Sequence, residues 1–432
     1  MPPSRTHTIC RVGLLGLGTV GSAVATLLVQ RRDEVALRAG VPIVLHRVAV
    51  AHPNRPRTVA LPGDVLATDA LSVINDPTVD VVVEVVGGIE PARTYVLRAL
   101  ALGKPVVTAN KQLMSTRGEE LVAAAAAAGV DLFFEGSVAG GIPIIKTIQE
   151  ALAANRIHKI MGIVNGTTNF ILTRMSQDGM GFGEALATAQ RLGYAEADPT
   201  DDVEGHDAAA KLAILASVAF NCRVVGADVY REGIGGITSR VIGYTHDLGY
   251  VVKLLAIARL ADGAIEARVH PAMLPVAHPL AGVADELNAV MIEGDPVGPV
   301  VLEGRGAGGG PTASAVVGDL IDAARNLRVG AGGRLAIAAH QRYAIREISE
   351  AVLPYCIALE VVDRPGVFAR VAAAFGDEQV SIASIAQKSR GVTAEVVLVT
   401  HEAPEAAMMR TLARLRALDV VAGVHALLRI AA

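Results

Sequence analysis

The chain has 432 residues, of which 52% are hydrophobic and 19% charged, and its formal net charge is −4. This length predicts two to four domains with sizeable cores, and a slightly acidic chain without a basic run argues against a nucleic-acid-binding surface. Cys10, Cys222 and Cys356 lie far apart without metal-ligand or C-x-x-C spacing, which favours a reducing, cytoplasmic setting.

The N-terminal region has the pattern of a strand, a glycine turn and a helix. Ile9 to Leu15 is a short apolar run typical of a buried strand, and G-L-G-T-V-G follows at residues 16–21. A helical stretch then runs to about Arg38, and a second apolar run covers Ile43 to Val50. This order predicts a dinucleotide-binding turn with a pyrophosphate at the helix N-terminus. A glycine-rich turn without a nucleotide is the alternative.

The same stretch also has features of a membrane-targeting segment, because Arg5 and Arg11 precede a long apolar run from Val12 to Val29. Glycines interrupt that run at the spacing of a nucleotide-binding turn. The strand–turn–helix interpretation explains the residues better, and we expect no membrane-spanning segment.

The end of the second strand bears on the choice of cofactor. An acidic residue there would hold the ribose 2′-hydroxyl of NAD, but residues 51–57 are A-H-P-N-R-P-R, without a carboxylate. Arg55 and Arg57 are suited to a 2′-phosphate, although basic loop residues are often merely solvated. We therefore expect NADP(H) to be favoured, with NAD(H) as the alternative.

Further apolar runs predict more buried strands. Val79 to Val86 ends at two glycines, and Pro105 to Thr108 is followed by A-N-K at residues 109–111. Doubly wound sheets bind ligands at the carboxyl ends of such strands, so Lys111 is a candidate site residue. A plain surface lysine is the alternative. The next predicted helix runs from Ser115 to Gly129.

Val130 to Glu135 is another predicted strand, and a glycine-rich loop follows it at residues 136–143. A carboxylate beside exposed carbonyl oxygens offers the ligands that a hard monovalent or divalent cation prefers. A turn with a capping carboxylate is the alternative. Residues 142–153 are predicted to be helical.

The pattern then becomes that of a second domain. After a predicted strand at residues 159–164, N-G-T-T-N at residues 165–169 is a polar turn that leads into a helix. Its hydroxyls, including that of Thr167, and the helix N-terminus are suited to a substrate carboxylate. A simple helix cap is the alternative.

An acidic segment followed by a single lysine is the most distinctive part of the sequence. Pro199 and Gly205 break regular structure, and a helix is predicted from about Asp207. Asp201 or Asp202 is suited to capping a helix. The carboxylates that precede Lys211 are Glu196, Asp198, Asp201, Asp202, Glu204 and Asp207.

Asp207 and Lys211 are four residues apart, so they share one face of that helix. Their neighbours are small or apolar, and a helix that is apolar nearly all round is a buried one. A buried lysine is costly unless paired, and such lysines are candidate proton-transfer groups. An exposed Asp–Lys pair on a surface helix is the alternative.

Three or four apolar runs then predict a further sheet, at residues 250–261, 264–270, 287–292 and 299–303. Glycines at residues 304–312 imply close backbone approach to a ligand or another element, and a helix is predicted from Ala313 to Leu327. Residues 330–333 form a linker by composition.

The C-terminal pattern is strand, helix, strand, strand, helix, strand, within residues 355–430. This βαββαβ order predicts a ferredoxin-like module. The module carries no catalytic constellation, so its D-R-P-G turn at residues 363–366 indicates ligand sensing or dimerisation.

The order of these motifs resembles that of the homoserine dehydrogenase family, in its monofunctional bacterial form with a C-terminal ACT domain. The resemblance covers nearly the whole chain. It rests on G-L-G-T-V-G (16–21), V-T-A-N-K (107–111), E-G-S-V-A-G-G-I-P-I (135–144), N-G-T-T-N-F-I-L (165–172), the acidic segment (193–211) and G-A-G-G-G-P-T-A-S-A-V (306–316).

The resemblance implies an α/β protein with a Rossmann-type NAD(P)-binding domain at residues 1–140, completed by a helix at 311–330. An α+β catalytic, substrate-binding and dimerisation domain follows at 141–310. A linker at 331–350 then leads to a ferredoxin-like ACT regulatory domain at 351–432. A homodimer or homotetramer is expected.

The family reduces L-aspartate 4-semialdehyde reversibly to L-homoserine with NAD(P)H, in threonine, methionine and isoleucine biosynthesis. By position, Lys211 is the implied acid/base and Asp207 assists it, while Lys111 lies between cofactor and substrate and is a further catalytic candidate. The implied substrate-binding residues are Glu196, Asp202, Thr167 and Lys111.

The resemblance also implies the ligands of the cofactor, an ion and an effector. Cofactor contacts are expected at Gly16, Gly18, Thr19, Val20, Gly21, Arg55, Arg57, Gly87, Lys111 and Gly308. A sodium-like cation is expected at the Glu135 side chain and the carbonyls of Val138, Gly140 and Ile142. Threonine is the expected effector, at Asp363, Gly366 and Ser381, with a ligand-free dimerisation domain as the alternative.

One position departs from the family. Many relatives carry Arg-Asp where this chain has Ala51-His52, which leaves the cofactor preference open. Two rival functions also remain. One is another dehydrogenase of aspartate-family or 2-oxo-acid metabolism, and the other is a nucleotide-sensing regulator without catalysis. A buried lysine with its carboxylates argues against the regulator.

Overall fold

The computed structural model describes residues 8–53, 59–333, 341–389 and 391–431. Its contacts divide the chain into two compact units. The first unit contains Met1–His158, Ala210–Asp228 and Asn288–Arg342, and the second contains Lys159–Ala209, Val229–Leu287 and Tyr343–Ala432. Within the described ranges, no helix is both long enough and apolar enough to cross a bilayer.

A parallel sheet forms the centre of the first unit. Its strands are β1 (Cys10–Leu15), β2 (Ile43–Ala49), β3 (Leu66–Ala67), β4 (Val81–Glu84), β5 (Val106–Thr108) and β6 (Leu132–Phe133). Their order in the sheet is β3-β2-β1-β4-β5-β6, which is that of doubly wound nucleotide-binding sheets. The predicted Rossmann-type fold is therefore confirmed.

Helices cover this sheet because its strands are almost continuously apolar and need burial on both faces. The first helices are α1 (Thr19–Gln30), α2 (Arg32–Ala39), α3 (Ala70–Asn75), α4 (Ala92–Ala101) and α5 (Lys111–Ala128). One core joins β1 to α1, α2 and a much later helix, Gly309–Val329, whose Val316 and Leu320 are fully buried there.

The remaining elements complete the first unit and build the second. The next in chain order are α6 (Ile144–Lys146), β7 (Arg156–Ile163), α7 (Gly166–Gln177), α8 (Phe182–Leu192), α9 (Thr200–Val203), α10 (His206–Ala219), β8 (Tyr230–Arg231), α11 (Ser239–Asp247), β9 (Tyr250–Ala261), β10 (Ala264–Pro275), β11 (Leu287–Asp295), β12 (Gly298–Arg305) and α12 (Gly309–Val329). The last are β13 (Ala344–Ile345), β14 (Val352–Leu353), β15 (Tyr355–Val362), α13 (Val367–Asp377), β16 (Ile382–Ser389), β17 (Thr393–Thr400), β18 (Ala403–Pro404), α14 (Glu405–Ala417) and β19 (Val421–Ile430).

A long antiparallel hairpin of β9 and β10 dominates the second unit, with Ala261 paired to Ala264 at the turn and Tyr250 to Pro275 at the far end. β7 pairs with the other edge of β9. β8 and β13 pair in parallel with β10, so this hairpin holds several otherwise distant segments together.

The C-terminal module has the predicted βαββαβ order, and its antiparallel strands run β19-β15-β17-β16. Its last strand also pairs in parallel with β10, through Ala272 and Arg429. The guanidinium of Arg429 donates to the carboxylate of Glu405 in the module and, at 2.9 Å, to that of Glu232, which follows β8. The module is thus joined to β10 by backbone pairing and to the segment after β8 by a half-buried ion pair.

Some element boundaries differ from the sequence prediction. α5 begins at Lys111 instead of Ser115, because the Asn110 side chain caps it and accepts a hydrogen bond from Leu113 N at 3.1 Å. The helix predicted over residues 142–153 is an α-helix only to Lys146 and continues as a π-helix over Thr147–Ala151. The sequence prediction omitted α8 and α11, although α8 buries Ala185 and Ala189 at helical spacing.

Candidate active site

A cleft of about 1180 Å³ lies at the carboxyl edge of the parallel sheet in the first unit. The turn after β1 forms one wall, where Gly16 has a φ of +97° and its N–H donates to the Ala49 carbonyl oxygen at 3.0 Å. Other lining residues include Gly18, Thr19, Ser22, Ala51, His52, Tyr95 and Gly310. A cleft at this sheet edge, with the α1 N-terminus in its wall, fits a dinucleotide.

Two glycines of this turn have different surroundings. A Cβ on Gly21 would lie 2.2 Å from the Gly16 carbonyl oxygen, so only glycine allows α1 to pack on the turn. Among the described residues, and apart from its two chain neighbours, a Cβ on Gly18 would meet no atom within 4 Å. The backbone at Gly18 is therefore open to an approaching ligand, as the G-x-G-x-x-G spacing predicts.

A second cavity, of about 270 Å³, contains both lysines that the sequence singled out. Lys111 is half-buried at the first position of α5, and Lys211 on α10 has a relative exposure of only 8%. The lining also includes Val20, Gly87, Gly88, Asn110, Ser137, Gly140, Gly308 and Thr312. Since Gly310 lines the larger cleft and Gly308 the smaller cavity, the first turn of α12 borders both.

A buried hydrogen-bond network holds one rim of the second cavity. The Glu84 carboxylate ends β4 and accepts from Val86 N at 2.8 Å and from Thr108 Oγ1 at 2.7 Å. Asn110 Nδ2 donates to the Gly88 carbonyl oxygen at 2.7 Å. The sequence analysis gave Glu84 no role, although an acid inside the apolar run from Val79 to Val86 was a signal for a buried network.

The predicted cofactor residues divide between these spaces. Gly16, Gly18 and Thr19 line the larger cleft, while Val20, Gly87, Lys111 and Gly308 line the second cavity. Gly21 lies under the turn, in the contact described above. Arg55 and Arg57, on which the NADP(H) prediction rests, lie outside the described residues.

Glu135 caps a helix. Its carboxylate oxygens accept from Ile145 N and Lys146 N, each at 2.8 Å, at the start of α6. Burial raises the pKa of this carboxyl above its usual value, against the opposite effect of those hydrogen bonds. Asp319 accepts from Glu135 N at 3.0 Å, and burial raises its pKa to about 7.

These contacts bear on the predicted cation site. Each Glu135 oxygen keeps a second lone pair, and a carboxylate with nearby carbonyls is a donor set that suits a hard cation. The Ile142 carbonyl, however, already accepts from Ile144 N at 2.8 Å. Within the described ranges, no group of three or more His, Cys, Asp or Glu residues is placed to hold a metal ion. The monovalent cation at Glu135, Val138, Gly140 and Ile142 stays a prediction.

The acidic segment is organised by Asn165, a residue that sequence reasoning gave no role of its own. Asn165 Nδ2 donates to Asp202 Oδ1 at 2.6 Å and to Asp207 Oδ2 at 3.0 Å. Asp207 is buried and Asp202 is half-buried. The prediction that Asp201 or Asp202 caps a helix was wrong, because Pro199 occupies the cap position of α9 and both aspartates lie in its first turn.

The other predicted substrate residues lie elsewhere in the second unit. The Thr167 hydroxyl donates to the Tyr194 carbonyl oxygen at 2.6 Å. Glu196 has an exposed side chain on the loop after α8, and its carbonyl oxygen accepts from Gln190 Nε2 at 3.0 Å. Because Tyr194 and Glu196 are close in sequence, the Thr167–Tyr194 hydrogen bond connects α7 to this loop near both Thr167 and Glu196.

A small cavity of about 180 Å³ lies in the C-terminal module. Asp363 and Gly366 line it, together with Val361, Phe368 and Gln387. Ser381 is not among the described residues that line it, and its carbonyl oxygen accepts from His401 N at 2.9 Å. The structure therefore brings together two of the three predicted effector residues.

The chain matches three family models. These are "Homoserine dehydrogenase, NAD binding domain" at residues 16–135, "Homoserine dehydrogenase" at residues 143–321 and "ACT domain" at residues 357–417. The homoserine dehydrogenase of Corynebacterium glutamicum is 45% identical to it over 424 residues, which are 97% of this chain and 95% of that protein. The enzyme of Bacillus subtilis is 44% identical, over 97% of this chain and 98% of that protein.

Solved structures give the same result. A homoserine dehydrogenase from Thiobacillus denitrificans superimposes with a TM-score of 0.92 at 44% identity, covering 98% of both chains. A hyperthermophilic archaeal homoserine dehydrogenase in complex with NADPH superimposes with a TM-score of 0.60 at 28% identity, covering 73% of this chain and 97% of that one. The likeness extends from single motifs to nearly the whole chain.

Proposed function

This chain belongs to the homoserine dehydrogenase family, and from that premise we propose how its residues perform the reaction. It is an NAD(P)-dependent oxidoreductase that interconverts L-aspartate 4-semialdehyde and L-homoserine. The observation that supports the proposal most directly is the cavity that contains Lys111 and Lys211 and shares the first turn of α12 with the dinucleotide cleft.

A dinucleotide held at the turn of Gly16, Gly18 and Thr19 would supply hydride to the aldehyde carbon. Negative charge then develops on the aldehyde oxygen, and a positioned acid stabilises it by giving up a proton. In this proposal Lys211 Nζ transfers that proton, which completes the hydroxyl group of homoserine. Lys111 adds positive charge in the same cavity, and Lys211 regains its proton from solvent.

We propose further residues as partners for the substrate's own charges. Glu196 and Asp202 take the ammonium group, since carboxylates are the natural partners of a cation. The N-terminus of α7, where Thr167 lies, is suited to the carboxylate. Asp207 lies one helical turn before Lys211 on α10 and assists the lysine from the same helix face. A sodium-like ion at Glu135 and a homodimer or homotetramer remain parts of the proposal.

NADP(H) is the cofactor that we propose this chain prefers. Its second strand ends without the carboxylate that would hold a ribose 2′-hydroxyl, and a structurally similar archaeal enzyme was solved with NADPH. We expect kcat/KM for aspartate semialdehyde reduction to be higher with NADPH than with NADH. Steady-state rates with each dinucleotide measure this ratio. A higher value with NADH would overturn the cofactor preference, and no turnover with either would overturn the proposed function.

Threonine is the proposed effector, because an amino acid of its size suits the cavity at Asp363 and Gly366. We expect threonine to lower the activity and to raise Tm, since a ligand that binds the folded state stabilises it. Asp363→Ala should raise the inhibitory threonine concentration about tenfold or more, which corresponds to the loss of about 1.4 kcal/mol.

Asp419→Ala is the control for this experiment, since Asp419 is an exposed aspartate of the same module that pairs with Arg370 on the surface. It should leave the response to threonine unchanged. If threonine alters neither the rate nor Tm of the parent chain, the module has another role, and dimerisation becomes the explanation to test.

A further inference from the structure

Asn165 has a buried side chain whose hydrogen-bonding groups are all engaged. It is 4% exposed and occupies the cap position of α7, where Oδ1 accepts from Thr168 N at 2.8 Å and lies 2.9 Å from Thr168 Oγ1. On the other side of the amide, Nδ2 donates one hydrogen each to Asp202 and Asp207. An asparagine side chain has two donor hydrogens and an oxygen with two lone pairs, so its capacity is filled.

The orientation of this amide is fixed by its partners. A backbone N–H only donates, so the oxygen of the amide must face Thr168. The nitrogen then faces Asp202 and Asp207, and it donates to one oxygen of each at 2.6 and 3.0 Å. The side chain therefore ties the start of α7 rigidly to both acids.

The cap alone does not require asparagine at this position. Serine, threonine and aspartate cap helices about as well, because a cap needs only an oxygen acceptor. Only asparagine accepts from the helix and donates two hydrogen bonds with the same short side chain. The two hydrogen bonds donated to Asp202 and Asp207, and not the helix cap, therefore explain why residue 165 is asparagine.

The arrangement also solves an electrostatic problem. The two acids are on α9 and α10, separated by a turn in which Gly205 has a φ of +79°, and one oxygen of each lies within 3.0 Å of the same nitrogen. Like charges this close favour protonation of one of them, whereas hydrogen bonds donated to a carboxylate favour its ionised form. The neutral amide of Asn165 offsets the repulsion without adding a charge.

We propose that Asn165 is a positioning residue, which holds the carboxylates of Asp202 and Asp207 as an ionised pair. This inference rests on the proposed function, in which Asp202 binds the substrate ammonium and Asp207 supports Lys211. It goes beyond that function by naming the residue that keeps both acids in the working state and by predicting a pH dependence.

Several other charged groups lie near the Asn165 amide and have to be considered when the pH profile is interpreted. Glu204 and His206 are exposed on the turn between α9 and α10. Glu232, on the segment packed against that turn, is engaged by Arg429. Lys253 faces Asn169, one turn along α7, with Nζ 3.0 Å from Oδ1, and burial lowers its pKa to about 8. These groups remain unchanged in variants of Asn165.

The experiment uses Asn165→Ser and Asn165→Asp, which keep an oxygen for the cap and lose the donated hydrogen bonds. We expect the acid limb of the kcat/KM profile for aspartate semialdehyde to move to higher pH by about one unit, because the carboxylates lose donors that favour ionisation. KM for aspartate semialdehyde should rise and kcat should fall, while KM for NADPH should change little.

Asn169→Ser is the matched control. Asn169 is 1% exposed on the same helix, and its Nδ2 donates to the carbonyl oxygens of Val283 and Leu287, not to carboxylates. This variant should lose stability and keep the acid limb in place. If the Asn165 variants lose stability and also keep the acid limb of the parent, Asn165 is a structural cap and the proposal is overturned.

A second measurement does not depend on turnover. The difference in unfolding free energy between the parent chain and Asn165→Ser should shrink as the pH falls through the range in which the two acids take up protons, because protonation of the acids removes the advantage of the donors. The same difference for Asn169→Ser should not shrink. A pH-independent difference for Asn165→Ser overturns the proposal, whereas a parent chain inactive with aspartate semialdehyde overturns only the proposed function.

Discussion

Lys211→Ala is expected to lower kcat for the reduction of aspartate semialdehyde by about 10²–10⁴-fold, the usual contribution of a positioned general acid. KM for NADPH should stay within about twofold of the parent value, because the dinucleotide cleft is built from other residues. The physical reason is that Lys211 is buried on a helix of small and apolar residues, in a cavity shared with Lys111. Steady-state kinetics with saturating NADPH measure both quantities.

Two further variants make this result specific. Lys104→Met is the control for removing a buried lysine, since Lys104 is 9% exposed and its Nζ donates to the Ile74 carbonyl oxygen at 2.7 Å. We expect Lys104→Met to lower Tm and to change kcat little. Lys111→Ala tests the other lysine of the cavity, and the variant with the larger loss of kcat identifies the proton donor. A kcat of Lys211→Ala within about tenfold of the parent would show that Lys211 is not the acid.

Gly21→Ala is expected to lower the stability of the chain, whereas Gly18→Ala is expected to weaken NADPH binding. At Gly21 the new methyl group would lie 2.2 Å from the Gly16 carbonyl oxygen, so the turn and α1 must separate. We expect a loss of about 1–3 kcal/mol in the unfolding free energy of the chain without cofactor, as is typical of overpacking. At Gly18 the methyl group meets no atom of the described residues within 4 Å, apart from its chain neighbours, so that stability should be almost unchanged.

The cofactor then distinguishes the two variants. A methyl group at Gly18 stands where a pyrophosphate approaches the backbone, so we expect the Kd of NADPH to rise about tenfold or more, a loss of about 1.4 kcal/mol. Thermal unfolding with and without NADPH, together with a binding titration, reports both effects. If Gly18→Ala binds NADPH as tightly as the parent does, the pyrophosphate lies elsewhere in the cleft.

The parts of this fold that sequence predicted well are those with local signals. Continuous apolar runs and the spacing of Gly16, Gly18 and Gly21 indicated the parallel sheet and its nucleotide turn, because burial on both faces and close packing leave direct marks on residue type. The C-terminal βαββαβ order was equally clear. Lys111 and Lys211 were both singled out from local context, and they line one cavity.

The parts that sequence missed depend on contacts between distant residues. Glu84 ends an apolar strand, and only the structure shows that Thr108 and two backbone N–H groups satisfy it. Asn165 was treated as part of a polar turn, because its link to Asp202 spans 37 residues of sequence. Pro199, and not Asp201 or Asp202, occupies the cap position of α9, although the residue preferences of helix caps favour aspartate. Local residue propensities carry no information about partners that are distant in sequence.

The parallel pairing of β19 with β10 has a consequence for anyone who would remove the C-terminal module to obtain an unregulated enzyme. Deletion before β15 would strip Arg429 from Glu232 and leave backbone groups of Ala272 and Met273 without their strand partner. An unpaired strand edge is an aggregation hazard, and Glu232 would lose its ion-pair partner. The truncated chain would therefore differ from the parent in solubility as well as in regulation, and single substitutions at Asp363 are the cleaner way to separate the two.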